Sequence, residues 1–93
     1  MEIESIRHKA LERFALTGKT KGVIEPKRIR NMLAFIDAAA AFDELGIPPN
    51  FGFHALGGDR DGTWAMTVTR NWRMIFTKVD DQTITNLDLE DYH

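Results

Sequence analysis

Beyond its first six residues, the apolar pattern of this chain changes period once, and the change comes at Pro48-Pro49. Before it, Ile29, Met32, Leu33, Ile36, Ala40 and Leu45 recur at the 3.6-residue spacing of an amphipathic helix. Beyond it the texture turns to short aromatic and β-branched segments. Trp64, Met66 and Val68 alternate within Thr63 to Thr69, and Trp72, Met74 and Phe76 alternate within Asn71 to Thr77. A helical pattern cannot bury its apolar stripe as a strand, nor the reverse. The helices must therefore precede the main run of strands, an α+β architecture in which two N-terminal helices pack on a small antiparallel sheet.

Local signals fill in the order. Glu2 to Ile6 alternates like a short edge strand. A first helix is expected over Arg7 to Thr17, with Leu11, Phe14 and Ala15 at helical spacing and Gly18 as its left-handed stop. Pro26 stands where a second helix starts, because its missing N–H costs nothing there, and Gly46 followed by the proline pair ends that helix. Turn signals at Gly57-Gly58-Asp59, Asp61-Gly62 and Asp80-Asp81 separate the strands. The last strand, about Thr83 to Glu90, carries Ile84, Leu87 and Leu89 without clean alternation, so a twist or bulge is expected there.

A chain of 93 residues buries only about 60 to 65% of its unfolded surface, so a single domain over residues 1–93 is expected. There is no cysteine, which removes disulfides, thiolate metal sites and cysteine nucleophiles. No apolar run reaches the roughly 18 residues of a membrane span, and Met1-Glu2-Ile3-Glu4 lacks the basic-then-apolar order of a signal peptide. A cytoplasmic protein with no membrane partner is the expectation. Net charge is −2, but residues 1 to 30 hold eight bases and only four acids, while the acids concentrate at Asp80-Asp81 and at Asp88, Glu90 and Asp91. Such a distribution can serve two partners, or it can be a solvated surface of mixed sign.

Three side chains invite a chemical reading. If Trp72, Met74 and Phe76 face the core, Arg73 points away from it, either to pair with an acid on a neighbouring strand or to offer a planar donor to phosphate. His54 follows Phe51 and Phe53, both expected in the core. His93 stands after Asp91 and Tyr92, where fraying is the ordinary reading. Together, two imidazoles and a guanidinium suit RNA cleavage: a base takes the 2′-hydroxyl proton, an acid protonates the departing 5′ oxygen, and a cation offsets charge on the phosphorane. No metal or cofactor is expected. The sequence has no HExxH, no EF-hand loop, no GxxxxGK and no GxSxG.

Several blocks resemble a known family, the HigB-type toxins, also called plasmid maintenance system killer proteins, of the RelE/ParE superfamily. They are Arg7-His8-Lys9 with Leu11-Glu12-Arg13-Phe14, His54-Ala55-Leu56 followed by Gly58-Asp59 and Gly62-Thr63-Trp64, Asn71-Trp72-Arg73 with Phe76, and Glu90-Asp91-Tyr92-His93. The resemblance runs nearly end to end. It implies the RelE/ParE-like fold, a type II toxin that cuts messenger RNA in the ribosomal A site as an mRNA interferase, and a helix-turn-helix (HigA-like) antitoxin through which operator DNA is reached. It also implies an active site of His54, Arg73, Asp91, Tyr92 and His93, with Tyr92 stacking on or orienting a base and Asp91 positioning its neighbours. Which histidine is acid and which base stays open at this level. One position departs: the family's lysine is Gly57 here, a lost cation of the kind whose removal can cost about 10² in rate, for which Arg60 or Arg70 can substitute.

The basic half supplies further candidates. Lys27 and Arg28 lie in the first turn of the second helix, where the macrodipole disfavours cations, and Lys19 and Lys21 precede it. With Arg60 and Arg70 they form the expected RNA- or ribosome-binding set. Two rival functions use the same scaffold: a ParE-like gyrase poison that cuts nothing, and a weakly active partner of its antitoxin.

Overall fold

The computed structural model describes residues 1–47 and 51–92. In chain order it contains β1 (Glu2–Ile3), α1 (Lys9–Thr17), α2 (Pro26–Ala38), a 3₁₀ turn (Phe42–Gly46), β2 (His54–Ala55), a second 3₁₀ turn (Gly58–Arg60), β3 (Thr63–Thr67), β4 (Trp72–Asp80) and β5 (Thr83–Asp91). The strands form one five-stranded sheet ordered β1-β5-β4-β3-β2. The α+β expectation holds, with one correction to the sheet: it is mixed, because the edge strand β1 runs parallel to β5 while the other pairs are antiparallel. The connection from β1 passes through both helices, which permits a parallel return. No helix is long and apolar enough to cross a membrane among the described residues.

The core lies between the helices and one face of the sheet. Leu11 and Phe14 of α1 and Ile29, Met32 and Ile36 of α2 pack with Met66, Val68, Met74, Phe76, Ile84, Leu87 and Leu89. Trp64 and Trp72 lie partly buried against this cluster, as the alternation requires. Helix α1 starts at Lys9 rather than Arg7, since His8 is its N-cap: the Leu11 N–H donates to His8 Nδ1 at 3.1 Å. Gly18 closes it with φ 78° and an N–H to the Phe14 carbonyl. Ala15 is exposed, so the buried stripe of this short helix is Leu11 and Phe14 alone.

The second helix is shorter than its apolar spacing predicts. It stops at Ala38, Ala39 is extended, and Leu45 is buried from the 3₁₀ turn instead. Tertiary hydrogen bonds decide the break. The Met1 amino group donates to the carbonyls of Asp37 and Ala39 at 3.0 and 2.6 Å, and the Phe42 N–H donates to the Asp81 carbonyl at 2.7 Å. Those bonds satisfy helix-end carbonyls and draw the chain back towards the sheet. Pro48 and Pro49 lie outside the described residues.

The bulge expected in the last strand is present. Between Ile75 and Thr77 of β4 the partner on β5 moves from Asp88 to Thr85, and Asn86 sits at φ 55°. The extra residue lets Ile84, Leu87 and Leu89 all reach the core despite their uneven spacing.

The loop between the helices packs closely on α1 at Gly22, at φ 79°, where a Cβ would come within 2.9 Å of the Ala10 Cβ. Gly57 has ordinary backbone, and nothing lies within 4 Å of its virtual Cβ. Urea denaturation should show Gly22→Ala less stable by about 1–3 kcal/mol, with Gly57→Ala near wild type.

Candidate active site

With one sheet face committed to the core, cross-strand pairing fixes what shares the other. His54 pairs with Ala65, which pairs with Ile75, which pairs with Asp88; Thr67 pairs with Arg73, which pairs with Glu90. Directly opposed residues point to the same side. His54 and Arg73 therefore flank β3 on the outward face. A strand spacing near 4.8 Å and a rise near 3.3 Å place their Cα atoms about 12 Å apart, a gap that two long side chains can close around one phosphodiester.

His54 is exposed, and its support comes from the residues before it. Phe51 packs edge-on to Phe35 of α2 at 5.4 Å, and Phe53 stacks on Trp64 at 4.9 Å and meets Phe42 edge-on at 5.4 Å. Gly52, between these two anchors, has φ 58°, and a Cβ there would sit 3.1 Å from Thr67 Oγ1. Its carbonyl lies 2.7 Å from His54 Nδ1. A carbonyl only accepts, so Nδ1 carries the hydrogen, which in a neutral tautomer leaves the lone pair on Nε2. That is the tautomer a proton acceptor needs.

Arg73 is held by two partners. Its Nε donates to Glu90 Oε2 at 2.6 Å, Nη2 lies 2.6 Å from the same oxygen, and its guanidinium carbon sits 4.7 Å above the Tyr92 ring. The other oxygen, Oε1, is 2.9 Å from Arg60 Nη1. Of the two alternatives for Arg73, the pairing with an acid on the next strand is observed, and that acid gathers a second guanidinium beside it. Burial alone would raise the Glu90 pKa, but hydrogen bonds and charge from Arg73 and Arg60 outweigh it and hold the carboxyl below its usual range.

Tyr92, 44% exposed, is fixed by its N–H to the Asn71 carbonyl at 3.0 Å, which brings the C-terminal motif to Arg73. Asp91 pairs with Trp72 at the end of β5. His93 lies outside the described residues.

The basic candidates divide. Arg60 joins the cluster, and the exposed Arg70 occupies the turn between β3 and β4, at the Arg73 end of those strands. Lys19, Lys21 and Lys27 are exposed on the helical side of the fold, and none of them joins the Arg73–Glu90–Arg60 ion pairs. Arg28 is engaged within the fold: Nη2 donates to the Thr67 carbonyl at 2.9 Å, the guanidinium lies 4.9 Å over Phe51, and Nε is enclosed with no partner. Its unfavourable place in the first turn of α2 is thereby explained by a bond to the sheet rather than by an outside partner. The sequence alone gives Glu90 no role; only cross-strand register exposes it. The same is true of Arg7 and Asn86, which line a pocket on this face.

The chain matches, over residues 4–93, the family described as RelE-like toxin of type II toxin-antitoxin system HigB. It is similar to the Endoribonuclease HigB of Proteus vulgaris, 38% identical over 93 residues that cover 98% of this chain and 99% of that protein. It is also similar to Toxin HigB-1 of Vibrio cholerae serotype O1, 35% identical over 91 residues covering 92% and 95% of the two chains.

A carboxyl whose pKa is depressed by folding binds its proton first in the unfolded chain. The Glu90 contribution to stability is therefore full above the usual glutamate range and is lost as pH falls below about 4. Chemical denaturation from pH 7 to 3 should show wild type losing stability more steeply at the acid end than Glu90→Gln; parallel profiles would contradict the assignment.

Proposed function

Because the chain belongs to the HigB-like toxins, the RelE-type toxin component of a type II toxin–antitoxin system, we propose that it is an endoribonuclease that cuts messenger RNA on the ribosome. The observation that carries this reading is the sharing of one open sheet face by His54 and the Arg73–Glu90–Arg60 cluster. The ribose supplies the nucleophile. His54, through its free Nε2, takes the 2′-hydroxyl proton; O2′ bonds to phosphorus as the bond to O5′ breaks, and His93 protonates the departing oxygen. The products are a 2′,3′-cyclic phosphate and a 5′-hydroxyl. Arg73 offsets the charge that grows on the non-bridging oxygens, with Arg60 as a second cation near the place where the family's lysine is missing. Tyr92 offers a stacking surface for a base, and Asp91 orients the C-terminal segment.

Membership in a toxin–antitoxin family entails an antitoxin partner. In this reading the partner is a helix-turn-helix protein of the HigA kind, through which operator DNA is contacted, and the exposed Lys19, Lys21 and Lys27 face ribosomal RNA. The salt slope of ribosome binding should flatten when those lysines are neutralised.

Primer extension on translated transcripts tests the activity. Fresh ends inside reading frames are expected from wild type, with cleavage reduced about 10²–10⁴-fold by His54→Ala and about 10²–10³-fold by Arg73→Ala. No ends from wild type, together with inhibition of gyrase supercoiling, would replace the nuclease by the gyrase reading. Gly57→Lys should raise the cleavage rate without loss of stability, because the backbone at Gly57 is ordinary and its Cβ position is open.

A further inference from the structure

Beside the catalytic cluster, the outward face holds a pocket of about 240 Å³ lined by Arg7, Arg60, Thr63, Ile75, Phe76, Thr77 and Asn86. Phe76 itself is buried in the core, so its side chain is not the surface presented. Every polar lining group can donate a hydrogen bond: two guanidiniums, two hydroxyls and a carboxamide, with no carboxylate among them. Among the described residues both ion pairs belong to Glu90, which leaves the Arg7 guanidinium without one. This collection selects for an anion.

The backbone is shaped for it. Asn86 is held at φ 55° by the bulge, a conformation that is costly for any residue with a Cβ and least so for asparagine. The bulge sends Leu87 into the core and leaves Asn86 at the pocket. The Arg7 N–H donates to the Leu87 carbonyl at 2.7 Å, so the segment after β1 is pinned beside the bulge and Arg7 arrives next to Asn86. Arg60 belongs to both places, since it lines the pocket and shares Glu90 with Arg73. Ile75 supplies an apolar wall and stands in the same cross-strand row as His54. Along β4 the pocket begins about 7 Å from Arg73 and extends to about 13 Å, by strand rise.

We propose that this pocket binds a phosphodiester of the RNA strand flanking the cleaved linkage, with Arg7 and Asn86 as its distinctive contacts. The inference rests on the endoribonuclease reading and deepens it. One guanidinium fixes a phosphate but not the direction of the strand; a second anion site, offset along β4, sets register and polarity and holds the cleaved linkage in line with O2′. The ligand must carry anions at two spaced points, which RNA does and a lone phosphate does not.

The experiment compares a dinucleotide with a tetranucleotide, both 2′-deoxy at the cleaved position, titrated against wild type, Arg7→Gln and Asn86→Gly by fluorescence anisotropy across a salt series. Wild type should bind the longer oligonucleotide more tightly and with a steeper salt slope. Arg7→Gln should reduce that slope by about 0.7 and leave dinucleotide binding unchanged. Asn86→Gly, which keeps the left-handed backbone and removes the amide, should weaken the tetranucleotide several-fold while thermal stability is kept or raised. Wild-type affinity and slope in both variants would overturn the proposal, as would inorganic phosphate competing as well as the tetranucleotide. Loss of antitoxin affinity with RNA binding untouched would reassign the pocket to a protein partner and overturn it too. Primer extension on programmed ribosomes is run in parallel: a wild type that binds as expected but cuts nothing would defeat the nuclease reading while the RNA site stands.

Discussion

Most of this molecule follows from a division of labour between the two faces of one sheet. Trp64, Met66, Met74 and Phe76 turn inward against α1 and α2, so their alternates, Thr63, Ala65, Thr67, Arg73, Ile75 and Thr77, must turn outward. The division survives in β5 only because the bulge at Asn86 inserts one residue and brings Leu87 and Leu89 back into phase with the core. Without it, either Ile84 would lie on the wrong side, or Leu87 and Leu89 would, and in that second case Glu90 would no longer oppose Arg73. The same irregularity that completes the hydrophobic layer also aligns the polar one.

The helical layer reaches through the sheet's edge to the chemistry on its far side. Arg28 bonds the Thr67 carbonyl and covers Phe51, the Thr67 N–H donates to the Phe51 carbonyl at 2.6 Å, and Thr67 Oγ1 stands where a side chain on Gly52 would have to fit. Phe53 is held on the other side by Trp64 and Phe42. His54 is thus an exposed side chain on a braced segment, and its ring is oriented by the carbonyl of the one residue there that must lack a Cβ.

What could be read from the sequence was whatever periodicity controls. Two helices, the strand faces of β3 and β4, the edge position of β1 and the irregularity of β5 all follow from local spacing. The end of α2 does not, because Ala38 to Ala41 favours helix and only the bonds to Met1 and Asp81 show why the helix stops. Arg73 could be placed outward from alternation, but its partner could not, since Glu90 is 17 residues away and depends on a register set by two shifts. Arg28 is hard to read for the opposite reason. Its position argued against a role in the helix, and composition alone could not distinguish a contact with the sheet from one with an outside partner. Arg7 was visible as part of a motif but had no neighbour until β1 paired beside the bulge.

The Glu90 carboxylate is the feature with the widest consequence. It occupies two guanidiniums at once, each from a different oxygen, so the pair of arginines already has an anion when no RNA is present. On the proposed function, a phosphate arriving at this pair would meet guanidiniums that already carry a carboxylate, so one charge-assisted contact would be traded for another of similar strength. The acid would then act as a threshold, leaving the face quiet towards small anions and responsive to a strand that brings several contacts together.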